Sequence, residues 1–312
     1  MSKATAIRVR GLTKRYGDVQ ALAGVDLDIA VGEVFALLGP NGAGKTTTVE
    51  ILEGYRRRDG GDVDVFGLDP ARQAGELKER IGIVLQSSGL DPYLTVAETV
   101  ELYAYYYPHR RPVDEVIELV GLQAKRNERV VRLSGGQRRR LDVAIALAGD
   151  PDLLFLDEPT TGFDPAARQD AWQIVKDLAR LGKTVVLTTH YLDEAEQLAD
   201  RVAIIAGGKI VIEDTPGRLG GRDRRRPRLV FHLPETVALP RGFNITVAPD
   251  GYCTVEPDDL TDTLHRLTGW ARRHGLSLDD LQLRRPTLED TYHQLLADHA
   301  ADDATASFRV TP

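Results

Sequence analysis

The segment GPNGAGKTT, Gly39 to Thr47, constrains this chain more than any other, because it follows directly on the apolar run VFALL. It fits the pattern G-x-x-x-x-G-K-[ST] through Gly39, Gly44, Lys45 and Thr46. Glycines let a backbone wrap tightly, so that successive N–H groups point at phosphate oxygens. A helix that begins near Lys45 would direct its positive end at the same anion. The pattern predicts a phosphate-binding loop between a buried strand and a helix.

The residue types in this loop point to a nucleoside triphosphate. Lys45 is expected to reach the β- and γ-phosphates, Thr46 to ligate Mg²⁺ through its hydroxyl, and Thr47 to contact the α-phosphate. This set suits a metal-bound triphosphate better than the pyrophosphate of a dinucleotide. The alternative is an ordinary glycine-rich turn, which the preceding strand and following helix disfavour. The residues assigned to nucleotide are Gly39, Pro40, Asn41, Gly42, Ala43, Gly44, Lys45, Thr46 and Thr47.

The first two-thirds of the chain alternates short apolar runs with helical patterns. Strands are predicted at residues 34–38, 81–85, 153–156, 184–187 and 202–205. Helices are predicted at residues 45–53, 96–106, 113–120, 136–148, 166–181 and 192–198. Buried strands that alternate with helices predict an α/β fold with a largely parallel sheet. Residues 7–9 and 25–29 predict an edge of antiparallel strands at the N-terminus.

The composition changes near Gly220, where the run GGRDRRRPR is charged and poor in apolar residues. We interpret residues 220–228 as a solvated linker, with nucleic-acid contact as the alternative. The predicted domains are therefore a large one at 1–219 and a small α+β domain at 229–299, followed by a flexible tail at 300–312. In the small domain, strands are predicted at residues 229–233, 244–248, 252–256 and 278–283, and helices at 259–274 and 288–299.

Two adjacent acids end the apolar run LLFLDEP, residues 153–159. The carboxyl end of a strand in a parallel sheet faces the ligand crevice. Asp157 is therefore expected to support the Mg²⁺ shell, and Glu158 to polarise the attacking water as a general base. An acidic loop start is the alternative, which the phosphate loop disfavours.

A second helix N-terminus follows Leu133 in the segment LSGGQRRRLDVAIAL. Ser134 is a good N-cap, and two glycines and an apolar-periodic helix come after it. This end could bind a second anion, although the first loop already serves the triphosphate of its own chain. It would then serve the nucleotide of a partner chain. An ordinary capped helix is the alternative from the residues alone.

Composition bounds the cellular setting of the chain. Its 312 residues carry a net charge of −7, which argues against a general nucleic-acid binder. No apolar run approaches the roughly 18 to 20 residues that cross a bilayer, and the N-terminus lacks the apolar core of a secretory signal. Cys253 is the only cysteine, so no disulfide can form within one chain. These features lead us to expect a protein of the cytosol.

Taken in order, GPNGAGKTT, Gln86, LSGGQ, LLFLDE and His190 resemble the ATP-binding cassette of ABC transporters over about residues 5–219. The resemblance implies a P-loop ATPase cassette with a mainly parallel sheet, an antiparallel edge subdomain and a helical subdomain. It also implies a head-to-tail dimer, most simply a homodimer, in which two ATP molecules lie between the phosphate loop of one subunit and the LSGGQ segment of the other.

The resemblance assigns further roles by position. Tyr16 matches the aromatic residue that stacks on adenine, and Gln86 the glutamine that senses Mg²⁺ and the attacking water. His190 matches the switch histidine that contacts the γ-phosphate, and Asp164 the aspartate that links the two active sites. Residues 87–99 resemble the surface that docks a membrane subunit. The residues implied to meet the partner's nucleotide are Ser134, Gly135, Gly136 and Gln137.

Two longer phrases, residues 33–54 and 133–147, resemble the exporter ATPases of the bacterial daunorubicin-resistance type, as does RRPTLEDTYHQLLADH at residues 284–299. This implies export of a drug-like or other hydrophobic substrate through a separate membrane permease, which would hold the chain on the inner face of the cell membrane. It also implies a small C-terminal domain that supports dimerisation or regulation. Two alternatives stay open: a cassette that regulates a non-transport membrane complex, and a soluble cassette protein that acts on ribosomes or DNA. A single cassette without a coiled-coil insertion disfavours the second.

Overall fold

The computed structural model describes residues 4–84, 89–224, 227–233, 237, 240, 242–248, 250–278, 280–284, 287–289, 291–292 and 295. These residues divide into two compact units, one ending at Pro216 and the other running from Gly217 to Leu295.

The first unit contains nine strands and seven α-helices among its described residues. Its strands are β1 (Thr5–Tyr16), β2 (Val19–Ala30), β3 (Val34–Leu38), β4 (Gly60–Val65), β5 (Ile81–Val84), β6 (Leu153–Asp157), β7 (Thr184–Thr189), β8 (Arg201–Ala206) and β9 (Lys209–Asp214). Its helices are α1 (Lys45–Leu52), α2 (Ala74–Lys78), α3 (Val96–Ala104), α4 (Val113–Leu119), α5 (Gly135–Leu147), α6 (Pro165–Arg180) and α7 (Leu192–Leu198).

The central sheet has six strands in the order β5-β6-β7-β3-β8-β9. All neighbours pair in parallel except β8 and β9, which pair antiparallel at one edge. The strands β3 and β7 are buried at every residue, as expected for a sheet covered on both faces. The register pairs Leu38 with Thr189 and Asp157 with Thr188, so β3, β6 and β7 end at one edge of the sheet.

A separate three-stranded antiparallel sheet, in the order β2-β1-β4, forms the predicted antiparallel edge. Its first two strands are longer than the sequence predicts, since pairing runs from Thr5 opposite Ala30 to Tyr16 opposite Val19. The strand β4, GGDVDV, has only two apolar residues and gives little sequence signal. Its pairing with β1 forms the strand and buries Val63 and Val65 in the core.

Helices α3, α4 and α5 form the helical part of this unit. Thr95 begins α3 with a capping box, because its hydroxyl accepts from the Glu98 N–H while the Glu98 carboxylate accepts from the Thr95 N–H. Helix α5 packs against β5 at Gly82, where a Cβ atom would overlap the carbonyl oxygen of Ala146. The α/β fold class with these three parts is confirmed.

The second unit contains β10 (Arg228–His232), β11 (Ile245–Val247), β12 (Tyr252–Val255), α8 (Leu260–Arg273) and β13 (Gln282–Arg284). The strands form an antiparallel sheet in the order β11-β12-β10-β13. Its core consists of buried residues from the sheet and from α8: Leu229, Phe231, Leu233, Cys253, Val255 and Leu267.

Two details of this unit differ from the sequence analysis. The strand predicted at residues 278–283 begins only at Gln282, because a turn closed by the Leu281 N–H on the Leu278 carbonyl draws both leucines toward the small core. The predicted linker begins within a 3₁₀ turn at Leu219–Arg224 and ends on the first residue of β10. The domain limits themselves stay predictions. Much of the predicted helix at 288–299, and the whole tail at 300–312, lie outside the described residues.

Within the described part of the chain, no helix has both the length and the apolar character needed to cross a membrane.

Candidate nucleotide-binding site

The phosphate loop lies between β3 and α1, as the sequence predicts. Gly44 has φ +109°, a conformation that favours glycine, and it places the first turn of α1 directly after the loop. Gly39 is buried, and a Cβ atom there would overlap the carbonyl oxygen of Ile205 on β8. The loop therefore depends on glycine at both positions, once for its backbone angle and once for its close approach to a neighbouring strand.

Lys45 points back along the loop. Its ammonium group donates to the carbonyl oxygens of Gly39 at 2.7 Å and Pro40 at 3.1 Å, and the residue is buried. Burial lowers the pKa of Lys45, whereas the carboxylates of Glu158 and Asp157 oppose that shift. The lysine thus lies between the loop and the two acids. Thr46 is exposed at the start of α1 and Thr47 is half-buried.

Asp157 ends β6 beside the last residues of β7. The Thr188 hydroxyl donates to Asp157 Oδ1 at 2.5 Å and also accepts from the Glu158 N–H at 3.1 Å. Thr188 therefore holds both acids in place. The sequence does not identify Thr188, because its role depends on the parallel register that pairs it with Asp157.

Glu158 has φ +44°, a left-handed conformation that costs energy in a residue with a side chain. Its carboxylate is held from two sides. The Thr161 hydroxyl donates to Oε2 at 3.1 Å, and Nδ1 of His190 lies 3.1 Å from Oε1. The His190 ring also packs against the Tyr191 ring, with 4.2 Å between centroids. Glu158 and His190 therefore meet at the end of β6 and β7, as their predicted roles require.

A third acid, Glu53, is buried, with 4% of its surface exposed. Burial raises the pKa of Glu53 to about 8, and the negative charges of Asp157 and Glu50 add to the shift. No local pattern predicts this burial, because Glu53 follows the last residue of α1, a position typical of a surface residue.

Tyr16 ends β1 with 38% of its surface exposed. Two cations lie over its ring, with Lys14 Nζ 5.6 Å and Arg56 Cζ 5.1 Å from the centroid. A partly exposed aromatic ring is compatible with base stacking, and the assignment of Tyr16 to adenine stays a prediction. Gln86, predicted as a catalytic residue and a metal ligand, lies outside the described residues.

The LSGGQ segment forms the N-terminus of α5. Ser134 caps this helix by accepting from the Gln137 N–H at 3.3 Å, while the Gln137 side chain accepts from the Ser134 N–H at 3.0 Å. Asp164 caps α6 in the same way, by accepting from the Ala167 N–H at 2.8 Å. The two capped ends face a common cavity.

This cavity has a volume of about 580 Å³, and we call it the signature cavity. It is lined by both glycines of LSGGQ and by residues of the turn before α6 and of the segment before α5. Among these are Ser134, Gly135, Gly136, Gln137, Gly162, Phe163, Asp164 and Lys125. Among the described residues, no member of the phosphate loop lines it.

Comparison with known families agrees with this geometry. The ABC transporter family matches residues 22–161, and a family described as ABC transporter domain-containing protein-like, C-terminal domain, matches residues 227–287. The two matches fall in the two units of the structure.

Curated relatives match over nearly the whole chain. Daunorubicin resistance ATP-binding protein DrrA3 of Streptomyces coeruleorubidus is 41% identical, covering 94% of this chain and 96% of the relative. Daunorubicin/doxorubicin resistance ATP-binding protein DrrA of Streptomyces peucetius is 38% identical over 96% and 94%. Nod factor export ATP-binding protein I of Burkholderia orbicola is 41% identical over 89% and 96%.

Solved structures match about two thirds of the chain. A dimeric ATP-binding cassette in a post-hydrolysis state with ADP and Pi is 29% identical, with a TM-score of 0.59, covering 67% of this chain and 98% of that one. The protein cbiO1 of Clostridium perfringens, part of the ABC transporter complex cbiONQ, is 28% identical with a TM-score of 0.62, over 69% and 90%. Because the curated relatives extend over both units at about 40% identity, this chain belongs to the ABC transporter family, as an ATP-binding and ATP-hydrolysing subunit of the daunorubicin-resistance group.

Proposed function

We propose that two copies of this chain bind two MgATP head to tail, hydrolyse them, and drive a separate membrane permease that exports a drug-like or other hydrophobic substrate. The main observation in favour of the head-to-tail dimer is the signature cavity. It presents a helix N-terminus and a serine hydroxyl, a combination suited to phosphate, yet it draws none of its described lining from the phosphate loop. The phosphate loop of a second copy would hold the nucleotide that this cavity contacts.

Within each site, the residues of the loop would bind the nucleotide and the acids would act on the attacking water and the metal. The backbone N–H groups of the loop and Lys45 would hold the phosphates, and Tyr16 would stack on the base. Glu158 would take a proton from the attacking water, because Thr161 and His190 fix its two carboxylate oxygens. Positioning and charge stabilisation supply most of the catalysis in phosphoryl transfer.

The donor set suits Mg²⁺. Thr46 offers a hydroxyl at the start of α1 and Asp157 a carboxylate at the end of β6, and both are the hard oxygen ligands that Mg²⁺ prefers. Among the described residues there is no group of three or more His, Cys, Asp or Glu side chains that could hold a metal. The ion would therefore take most of its ligands from phosphates and water, and Gln86 would complete the set. Bound there, Mg²⁺ would neutralise charge on the transferred phosphoryl group.

The first test replaces Glu158 with Gln. The variant should bind MgATP with wild-type affinity, accumulate as a dimer in gel filtration with MgATP, and lose nearly all hydrolysis. Wild-type hydrolysis would refute the general base, and a monomer with bound ATP would refute the head-to-tail dimer.

A matched variant separates binding from chemistry. Lys45→Ala removes the group that lies between the loop and the acids, so ATP affinity should fall while the fold remains. Titration calorimetry with MgATP measures this directly. An unchanged affinity would contradict the phosphate-cradle assignment.

The transport role is tested with the membrane partner. Co-expression with a membrane protein of about six hydrophobic spans encoded by an adjacent gene should bring this chain into the membrane fraction, and a transported hydrophobic compound should stimulate ATP hydrolysis. Membrane association without stimulation by any cargo would favour the regulator of a non-transport complex. Co-sedimentation with ribosomes or DNA instead would favour the soluble alternative.

A further inference from the structure

Arg139 is a buried cation that the functions described above do not use. It lies in the second turn of α5, two residues after Gln137, and its side chain is 8% exposed. Its neighbours Arg138 and Arg140 are less buried, and Arg140 pairs with Asp170. A buried guanidinium requires hydrogen-bond acceptors to compensate for its lost hydration, so its partners show what it holds.

Two partners of Arg139 are backbone carbonyls of the catalytic segment. Its Nε donates to the carbonyl oxygen of Pro159 at 3.1 Å, and Nη2 lies 3.5 Å from the carbonyl oxygen of Asp157. These two carbonyls flank Glu158, the residue with the left-handed backbone. The guanidinium therefore spans the strained residue and contacts the chain on both sides of it.

Acidic groups around Arg139 compensate for the burial of its positive charge. Asp142, one turn later on α5, lies 3.7 Å away. Burial lowers the pKa of Arg139, and Asp142, Glu194 and Asp157 oppose that shift. Glu194 on α7 is fully buried. Burial raises the pKa of its carboxyl, and hydrogen bonds with Thr189, Thr160 and Trp172 oppose that shift. Helices α5 and α7 thus place a guanidinium and a buried carboxyl beside the segment that carries Glu158.

We propose that Arg139 is a positioning residue that ties the N-terminus of α5 to the backbone around Glu158 in the same chain. The inference rests on the proposed head-to-tail dimer, in which LSGGQ contacts the partner's nucleotide while Glu158 acts on the nucleotide of its own chain. Arg139 then links one active site of the dimer to the other, because ATP engaged by LSGGQ in one site fixes the general base of the second.

Rigid geometry supports this link. Arg139 is four residues after Gly135, so both lie on one face of a continuous α-helix and move together. The strained φ of Glu158 persists only while its surroundings hold it. A small displacement at the end of α5 would therefore reach the Glu158 carboxylate through two hydrogen bonds rather than through a flexible loop.

The first measurement compares steady-state ATP hydrolysis by Arg139→Met and Arg139→Lys in the full chain. Removing a charge-assisted hydrogen bond predicts a fall in kcat of about tenfold for R139M. The KM for ATP and the affinity of the single subunit should stay unchanged, and the lysine variant should recover part of kcat. A loss confined to KM, or an unchanged kcat in a folded R139M, would overturn the proposal.

Folding is controlled with two further variants. R139M/E194Q also replaces the buried carboxyl near Arg139 with a neutral amide, so that no effect of leaving this acid without its cation contributes. The double variant should show the same loss of kcat. Arg180, at the end of α6, has 71% of its side chain exposed. The Arg180→Met variant should therefore hydrolyse ATP like the wild type. Thermal unfolding of all variants confirms that equal amounts are folded.

The second measurement asks which active site Arg139 serves. Mixed dimers are isolated through two affinity tags, and single-turnover hydrolysis of bound ATP is followed. With E158Q and R139M on the same chain, the remaining Glu158 keeps its own Arg139, so the rate should equal that of a dimer of E158Q with wild type. With the two changes on opposite chains, the rate should be about tenfold lower.

The outcomes separate this inference from the function on which it rests. The reverse pattern would assign Arg139 to the partner's site, and equal rates in both arrangements would assign it a structural role only; either result overturns the tie. Failure of E158Q copies to pair with MgATP would instead refute the dimer, independently of any R139M result.

Discussion

The buried acid Glu53 gives a prediction whose size follows from the structure. Its folded pKa of about 8 stands against an ordinary value of 4.5. Between those two pH values, the folded protein keeps a proton that the unfolded chain releases. The stabilisation from the protonated carboxyl is therefore complete below pH 4.5, falls as pH rises, and is lost by about pH 8.

The magnitude comes from the same shift. Each pKa unit corresponds to about 1.4 kcal/mol, so the difference between 4.5 and about 8 sets an upper limit of about 5 kcal/mol. Glu53→Gln replaces the carboxyl with a neutral amide of nearly the same shape. The free energies of unfolding of variant and wild type should agree near pH 5, and the variant should become more stable by several kcal/mol toward pH 9.

The assay is urea unfolding at one-unit pH intervals from 5 to 9, without nucleotide and with EDTA. The chain has two tryptophans, Trp172 in the first unit and Trp270 in the second, so a Trp270→Phe background lets fluorescence report the unit that contains Glu53. Glu79→Gln, at an exposed acid, serves as the matched control. A difference between Glu53→Gln and wild type that does not change with pH would refute the reasoning.

Substitutions at three residues of the site, each with a control, test its geometry. Gly39→Ala places a Cβ against the Ile205 carbonyl and should weaken MgATP binding at least tenfold, measured by calorimetry. Gly75→Ala, whose added Cβ meets no atom within 4 Å, should bind MgATP normally. Equal affinities of the two variants would contradict the close-approach argument. Ser134→Ala should cost about 1 kcal/mol of unfolding free energy and Ser134→Thr much less, because the hydroxyl caps α5. Tyr16→Ala should weaken ATP binding while Tyr16→Phe keeps it, and an equal loss in both would argue against stacking.

Local sequence signals predict the elements that carry their own pattern. The strand β3 and the helix α7 have the predicted limits, because an uninterrupted apolar run and a clear helical period need no outside partner to be recognised. Strand β4 escapes such prediction, since it exists through its pairing with β1, which lies far earlier in the chain. Pairing between distant segments leaves no periodic trace in one strand alone.

The residues of the nucleotide site also fall into two groups, those that a local pattern predicts and those that only tertiary contacts bring into the site. The glycine and lysine pattern identifies the phosphate loop, because those residue types follow from what a phosphate requires of the backbone. Thr188 and Arg139 have no such signature. They act on Asp157 and on the carbonyls around Glu158 only because β7 lies beside β6 and α5 packs against the end of that sheet.

The sequence by itself therefore determined which chemical groups this protein offers to a nucleotide: the loop, the lysine, the two acids and the capped LSGGQ helix. Tertiary structure decided the environment of those groups. It buries Glu53 beside Asp157, holds Glu158 in a left-handed conformation and sets a guanidinium against its backbone. The physical reason is that chemical identity is carried by each residue, whereas burial, strain and charge contact arise only between residues that the fold brings together.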